Sequence, residues 1–285
     1  MKNTPLAPIS LPKKVRAYLD ILIKKVNQMT DGRLVSVLLF GSYVKGHPDP
    51  EKSDLDVVLV LDDKVHLSEI NRVDRMVEGL EITYGFSKSP KARLERLFRA
   101  IERATGMFAS HFICKKSDIL KGDFRRVFSV SRIFEKFLAP SRLVFSAILS
   151  HAVTIYGDDI SEEITRPLVD IRQWLRSLSM CFLLSLSGLL ASFLNKKAIR
   201  FMEEAIKWSL LNTYYYVYGH SPSFQNVIRF YSEKGLRLAK ELLSASGEFN
   251  VISAAKSPLK VIRIHVDGLK LLRNSSSQKN SLVEK

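Results

Sequence analysis

Two short apolar runs, LVSVLLF at residues 34–40 and LDVVLVL at 55–61, enclose a polar loop that opens with Gly41-Ser42 and closes on Ser53-Asp54-Leu55-Asp56. Both runs are rich in branched residues and almost free of polar ones, the pattern of strands buried on both faces. Side chains alternate along a strand, so Asp54 and Asp56 emerge together while Leu55 turns the other way, into the core. Two carboxylates aimed at one spot repel unless a hard cation lies between them. Mg2+ is the natural occupant, held by a couple of carboxylates and by the oxygens of a triphosphate. At the other end of the loop, a buried strand running into Gly41-Ser42 and a helical turn offers N–H groups and a hydroxyl to phosphate oxygens. Glycine at that point lets the backbone approach them closely. Gly-Ser and Asp-x-Asp are each common alone. In this succession, with an apolar strand on either side, they read as a metal–triphosphate site.

The rest of the chain divides in two. Residues 14–29 carry an amphipathic helical pattern that Asp31-Gly32 stops, residues 68–104 are helical with an interruption near 85–90, and MFASHFIC at 107–114 reads as a third strand. A small mixed-sheet domain over residues 1–130 follows from that order. Beyond it strand signals cease. Residues 132–155, 167–194, 196–218 and 223–244 all show helical periodicity, and a last helix is expected over 256–273. The fold class is therefore α+β, a small mixed-sheet domain followed by an all-α helical bundle over 131–273. Residues 274–285, NSSSQKNSLVEK, are polar and expected to form a disordered tail.

Composition narrows the partners without choosing one. A net charge of +15 over 285 residues favours polyanions, whether nucleic acid or nucleotide phosphates, but the basic residues are scattered and form no run. Residues 177–194 carry no charge, yet they include five serines and a glycine. Leu178, Phe182, Leu186, Leu189 and Phe193 recur at helical spacing there, so we read the stretch as a core helix and expect no membrane span. Cys114 and Cys181 make no metal-binding spacing and read as buried reduced thiols of a cytoplasmic protein. Residues 1–14 lack the apolar run of a signal peptide. Oligomerisation is left open.

GSYVKGHPDPEKSDLD followed by VVLVL resembles the signature of the DNA-polymerase-beta-like nucleotidyltransferase superfamily, in its minimal nucleotidyltransferase branch. The resemblance spans about residues 34–125. It implies that Gly41 and Ser42 hold the triphosphate, that Asp54 and Asp56 bind Mg2+ and are catalytic, and that a nucleoside monophosphate passes to a hydroxyl with release of pyrophosphate. ATP is the simplest donor. The helical half, with AVTIYGDDI at 152–160, is similar to the helical domains of aminoglycoside nucleotidyltransferases and to HEPN-like partners of minimal nucleotidyltransferases. The acceptor, whether a small molecule, a protein side chain or an RNA end, stays open.

The chain departs from the superfamily pattern at one point. Active members usually add a third carboxylate from the next strand, and 107–114 contains none; its polar members are Ser110 and His111. Glu102 lies just upstream, and Asp118 and Asp123 just downstream. His111 has the chemistry of a general base, but the plainer reading is a histidine with a satisfied hydrogen bond. Lys45, His47 and Lys52 in the motif loop can touch phosphates or simply be solvated. Tyr214, Tyr215, Tyr216 and Tyr218 read as core and interface aromatics before a stacking platform. His220 and His265 lack the partners of an RNA-cleaving site. The missing acid keeps two alternatives in view: a non-catalytic nucleotide-binding or interaction protein with a degenerate nucleotidyltransferase domain, and a plain nucleic-acid binder.

Overall fold

The computed structural model describes residues 10–46, 54–86, 110–193, 198–236 and 256–283. Helix α1 (Lys13–Met29) ends in a turn through Asp31 and Gly32, both at positive φ, and delivers the chain into β1 (Leu34–Phe40). Strand β2 (Asp56–Leu61) pairs antiparallel with β1, setting Phe40 opposite Asp56 and Leu39 opposite Val57. Helix α2 (Leu67–Tyr84) opens with a capping box in which Glu69 accepts the His66 N–H, and Arg33 also reaches Glu69 at 2.8 Å. Strand β3 (His111–Lys115) then lies parallel to β2, with Val57 level with His111 and Leu61 level with Lys115. Its connection from β2 has the length that a parallel crossover requires.

Three short helices follow, α3 (Lys116–Leu120), α4 (Phe124–Val127) and α5 (Arg132–Phe137), and then α6 (Ser141–Leu149). A fourth strand, β4 (Val153–Gly157), returns to pair antiparallel with β1, giving a mixed sheet in the order β3-β2-β1-β4. The sequence reading took 132–155 as helical throughout, and β4 corrects it. The strand is short, and no glycine or proline separates it from the helical pattern before it. Gly157 ends it at φ +79°, where a Cβ would run into the Val35 carbonyl, so a β-carbon is excluded by the closeness of β1.

Alternation along the strands splits the sheet into two buried faces. Val37, Leu39, Val57, Leu59, Leu61 and Ile113 join Val15, Leu19, Leu22 and Val26 of α1 and Val73 and Val77 of α2 in one core. The opposite face is aromatic. Phe40 stacks on Phe112 at 6.2 Å, and Phe112 meets Phe128 edge-on at 4.8 Å.

The chain forms two compact units, one of Met1–Lys136 with Ile148–Pro167, the other of Phe137–Ala147 with Leu168–Lys285. The sheet unit thus runs past the expected boundary at residue 130, because β4 belongs to it. The second unit is helical: α7 (Ile171–Ser192), α8 (Ile199–Tyr218), α9 (Phe224–Glu233) and α10 (Ser257–Val283). Helix α10 continues to Val283, where the sequence reading ended the helix at 273 and expected a disordered tail from 274.

By length and composition α7 is apolar enough to cross a membrane. It buries Trp174, Ser177, Met180, Cys181, Ser185 and Gly188, packs against α8 and α10, and exposes Leu175, Leu183 and Leu190. Its serines serve the core. Asn212 donates to Ser177, which also meets the fully buried His265 at 3.3 Å, and Ser185 donates to Ser257 at 2.6 Å. Tyr214, which is buried, packs with Tyr218, Phe230 and Tyr231, and Tyr216 lies against Trp174, so these rings pack against other aromatics, with Tyr216 and Tyr218 half-buried. Cys114 and Cys181 are buried free thiols; burial raises both, Cys181 to about 12.

Candidate active site

The carboxylate pair sits where β2 begins. Leu55 is 2% exposed and lies in the core with α1 and α2, so Asp56, which opens β2, emerges on the other face, and Asp54 immediately precedes the strand. Asp54 is exposed and Asp56 half-buried. Directly across, β1 leaves the sheet at Phe40, and Gly41 turns at φ +76°. A Cβ on Gly41 would overlap the Asp56 carboxylate, so that carboxylate lies against the Gly41 backbone. Glycine is therefore needed here to admit Asp56 as well as for the turn.

The turn itself spans 41–46 and is closed by Lys45 N–H donating to the Gly41 carbonyl at 3.2 Å. In such an i→i+4 closure the N–H groups before the closing one are not used by the turn; here they belong to Ser42, Tyr43 and Val44. Tyr43 is buried in the core, and that burial together with the charge of Asp54 raises its phenol pKa. The Asp54 charge and the Ser42 turn thus occupy one corner of the sheet unit. Among the described residues no cluster of three or more metal-ligating side chains occurs. Two hard oxygen donors still fit a Mg2+ ion that takes its other ligands from a triphosphate and water.

The Gly41 N–H is not directed at solvent. It donates to His151 Nε2 at 3.2 Å. His151 lies two residues before β4, whose Val153 pairs with Leu39, so strand pairing brings the imidazole alongside the turn. Sequence reasoning missed this residue, because 110 positions separate the partners and β4 was not read as a strand.

The other sequence candidates are accounted for elsewhere. His111 is level with Val57 and shares its face, the one under α2, and contacts Glu81 at 2.8 Å and Asp74 at 3.1 Å. Ser110 also donates to Glu81, at 2.7 Å. Burial disfavours the imidazolium, but the hydrogen bonds and charges of Asp74 and Glu81 outweigh it and raise the pKa to about 9. His111 therefore turns away from the Asp54/Asp56 face and is held protonated, which excludes it as the base. Asp118 is paired to Arg126 at 2.9 Å, and Asp123 caps α4. Both follow Lys115, which is level with Leu61, five residues along β2 from Asp56 and so about 16 Å away. His47, Lys52 and Glu102 lie outside the described residues.

Residues 19–104 match the family model of the nucleotidyltransferase domain. The chain carries a nucleotidyltransferase domain. Its matched segment contains Gly41, Ser42, Asp54 and Asp56. The fold of most of the chain is similar to that of spectinomycin adenyltransferase AAD(9) from Enterococcus faecialis, solved with ATP and spectinomycin. That likeness covers 90% of this chain and 99% of the other at a TM-score of 0.50 and 13% identity, and it is a likeness of fold. No curated protein matches the sequence. The β-sheet corner holding Gly41-Ser42 and the two aspartates lies inside the matched segment and is the candidate site.

Proposed function

We propose that the chain transfers a nucleoside monophosphate, most simply AMP from ATP, to a hydroxyl acceptor. The observation that carries this reading is Asp56 lying against Gly41, which brings the carboxylate pair and the Ser42 turn to one corner. Ser42 offers its hydroxyl, and the turn its N–H groups, to the β- and γ-phosphates. Asp54 and Asp56 hold the cation that accompanies them. Mg2+ bound there supplies charge neutralisation on the phosphates and on the departing pyrophosphate. The acceptor oxygen bonds to the α-phosphorus as the bond from that phosphorus to the α–β bridging oxygen breaks. The hydroxyl proton passes to solvent, and pyrophosphate leaves with the electron pair of the broken bond. A fold shared with an adenyltransferase solved with ATP and spectinomycin supports ATP as donor and a small molecule as acceptor.

The test is incubation with ATP labelled on the α-phosphate and Mg2+ across acceptor classes, comparing wild type with Asp54→Ala/Asp56→Ala. Pyrophosphate release and label transfer by wild type alone are expected. Equal transfer by both proteins would sink the assignment.

One observation favours a second reading, a domain that binds nucleotide without transferring it. Among the described residues, Glu81 and Asp74 face His111, and Asp118 and Asp123 lie at the far end of the sheet. That reading predicts ATP binding by calorimetry with no pyrophosphate released under any acceptor.

A further inference from the structure

We propose that His151 is a positioning residue of the triphosphate site, fixing the Gly41-Ser42 turn through the hydrogen bond it accepts from the Gly41 N–H; the inference rests on the nucleotide-binding reading above. The need for such a residue lies in glycine. At φ +76° Gly41 adopts a conformation it reaches easily but leaves as easily, because no β-carbon limits it. The Gly41 N–H belongs to the peptide unit shared with Phe40, the last residue of β1, and the turn to Ser42 starts from that unit. An acceptor held opposite the Gly41 N–H fixes that plane and so the point from which the turn departs. His151 Nε2 stands there, at 3.2 Å.

The backbone of His151 is tied down on both sides in sequence. Its main-chain N–H donates to the Ile148 carbonyl at 3.2 Å, and two residues later Val153 enters the pairing with Leu39. The last strand of the sheet therefore braces the turn that follows the first one. Asp56 lies against Gly41 from β2 and His151 reaches it from the β4 side, so Gly41 is clasped by the carboxylate and the imidazole. Accepting on Nε2 places the ring proton on Nδ1. The Nε2 lone pair is then committed to Gly41, so the ring positions the turn and does not serve as the base for the acceptor hydroxyl.

The experiment measures binding of α,β-methylene-ATP with Mg2+ by calorimetry to full-length wild type, His151→Phe and His151→Gln, with thermal unfolding to establish that each is folded. Phenylalanine keeps the ring and removes the acceptor; glutamine restores an acceptor near the Nε2 position. Loss of one hydrogen bond predicts roughly five- to tenfold weaker binding for His151→Phe, with His151→Gln close to wild type. Amide exchange at Gly41 in nucleotide-free protein should quicken in His151→Phe and be restored in His151→Gln. Wild-type affinity in His151→Phe, or equal weakening in both variants, overturns the role of His151 and leaves the nucleotide site standing. No binding by wild type overturns the nucleotide-binding reading, and the positioning role with it.

Discussion

Asp56 lays its carboxylate against the backbone of Gly41, in the space that a side chain at that position would fill. The two residues belong to neighbouring antiparallel strands, with Asp56 opposite Phe40, the last residue of β1. The contact ties Asp56 to the Gly41-Ser42 turn without any side chain between them.

Gly41→Ala should therefore damage the site as well as the fold. A non-glycine residue at positive φ costs on the order of 1–3 kcal/mol, and the new methyl group must also displace Asp56. Gly46 provides the comparison, since it has a similar φ of +77° but nothing within 4 Å of a Cβ. Both alanine variants are expected to lose similar stability in urea unfolding. Only Gly41→Ala should also lose Mg2+-dependent triphosphate binding, and equal binding by the two variants would refute the contact's role.

Chelation offers a separate check on the aspartates. Stripping divalent metal with EDTA should reduce wild-type triphosphate binding by at least tenfold. In Asp54→Asn/Asp56→Asn the same treatment should change little, because the residues that hold the cation are already gone. A large EDTA effect that survives in the double variant would place the metal elsewhere.

Gly157→Ala tests the sheet at its other edge. The added Cβ would strike the Val35 carbonyl, a backbone atom that cannot rotate away, and φ is again positive. A loss above about 2 kcal/mol is expected. Because β4 also sets the position of His151, triphosphate binding should weaken in the folded variant. Unchanged unfolding midpoint and affinity would mean that β4 does not pair with β1 as described.

Part of the candidate site's local geometry was legible because period-two alternation acts locally. Leu55 is apolar between two aspartates, and that alone indicates which way each side chain turns. The Gly-Ser turn was legible for the same reason, being written in adjacent residues. The partners of those residues were not. His111 stands one residue beyond Ser110 on a strand whose sequence does not reveal that α2 brings Glu81 and Asp74 over that face. His151 belongs to a segment whose helical pattern runs almost up to β4, and only pairing with β1 makes Val153–Gly157 a strand. Such long-range pairings decide where the other titratable side chains go, so the missing third acid could be noticed in the sequence but its substitutes could not be ranked.

Two histidines, the half-buried His111 and the buried His265, should give the two units opposite responses to pH. His111 titrates at about 9 when folded, against 6.5 for an ordinary histidine, through its bonds to Asp74 and Glu81. Below pH 6.5 both folded and unfolded chains carry the proton and the stabilisation is complete. Between 6.5 and 9 the unfolded chain releases it while the folded one keeps it, so the first unit loses stability as pH rises, by on the order of 3 kcal/mol in all. His265 is the reverse case: burial lowers it to about 4 although its bond to the Val261 carbonyl opposes the shift. Its contribution is complete above pH 6.5 and is lost as pH falls toward 4, when the unfolded chain takes up a proton that the core refuses. Both tryptophans, Trp174 and Trp208, lie in the second unit, and Trp174 meets His265 edge-on at 5.6 Å, so fluorescence follows that unit. Urea unfolding followed by fluorescence should weaken between pH 6.5 and 4.5, whereas amide exchange in α2 and β3 should quicken between pH 7 and 9.5 beyond its intrinsic pH dependence. His111→Gln should flatten the alkaline response without touching the acidic one; an alkaline limb that persists in that variant would exclude the His111 pair as its source.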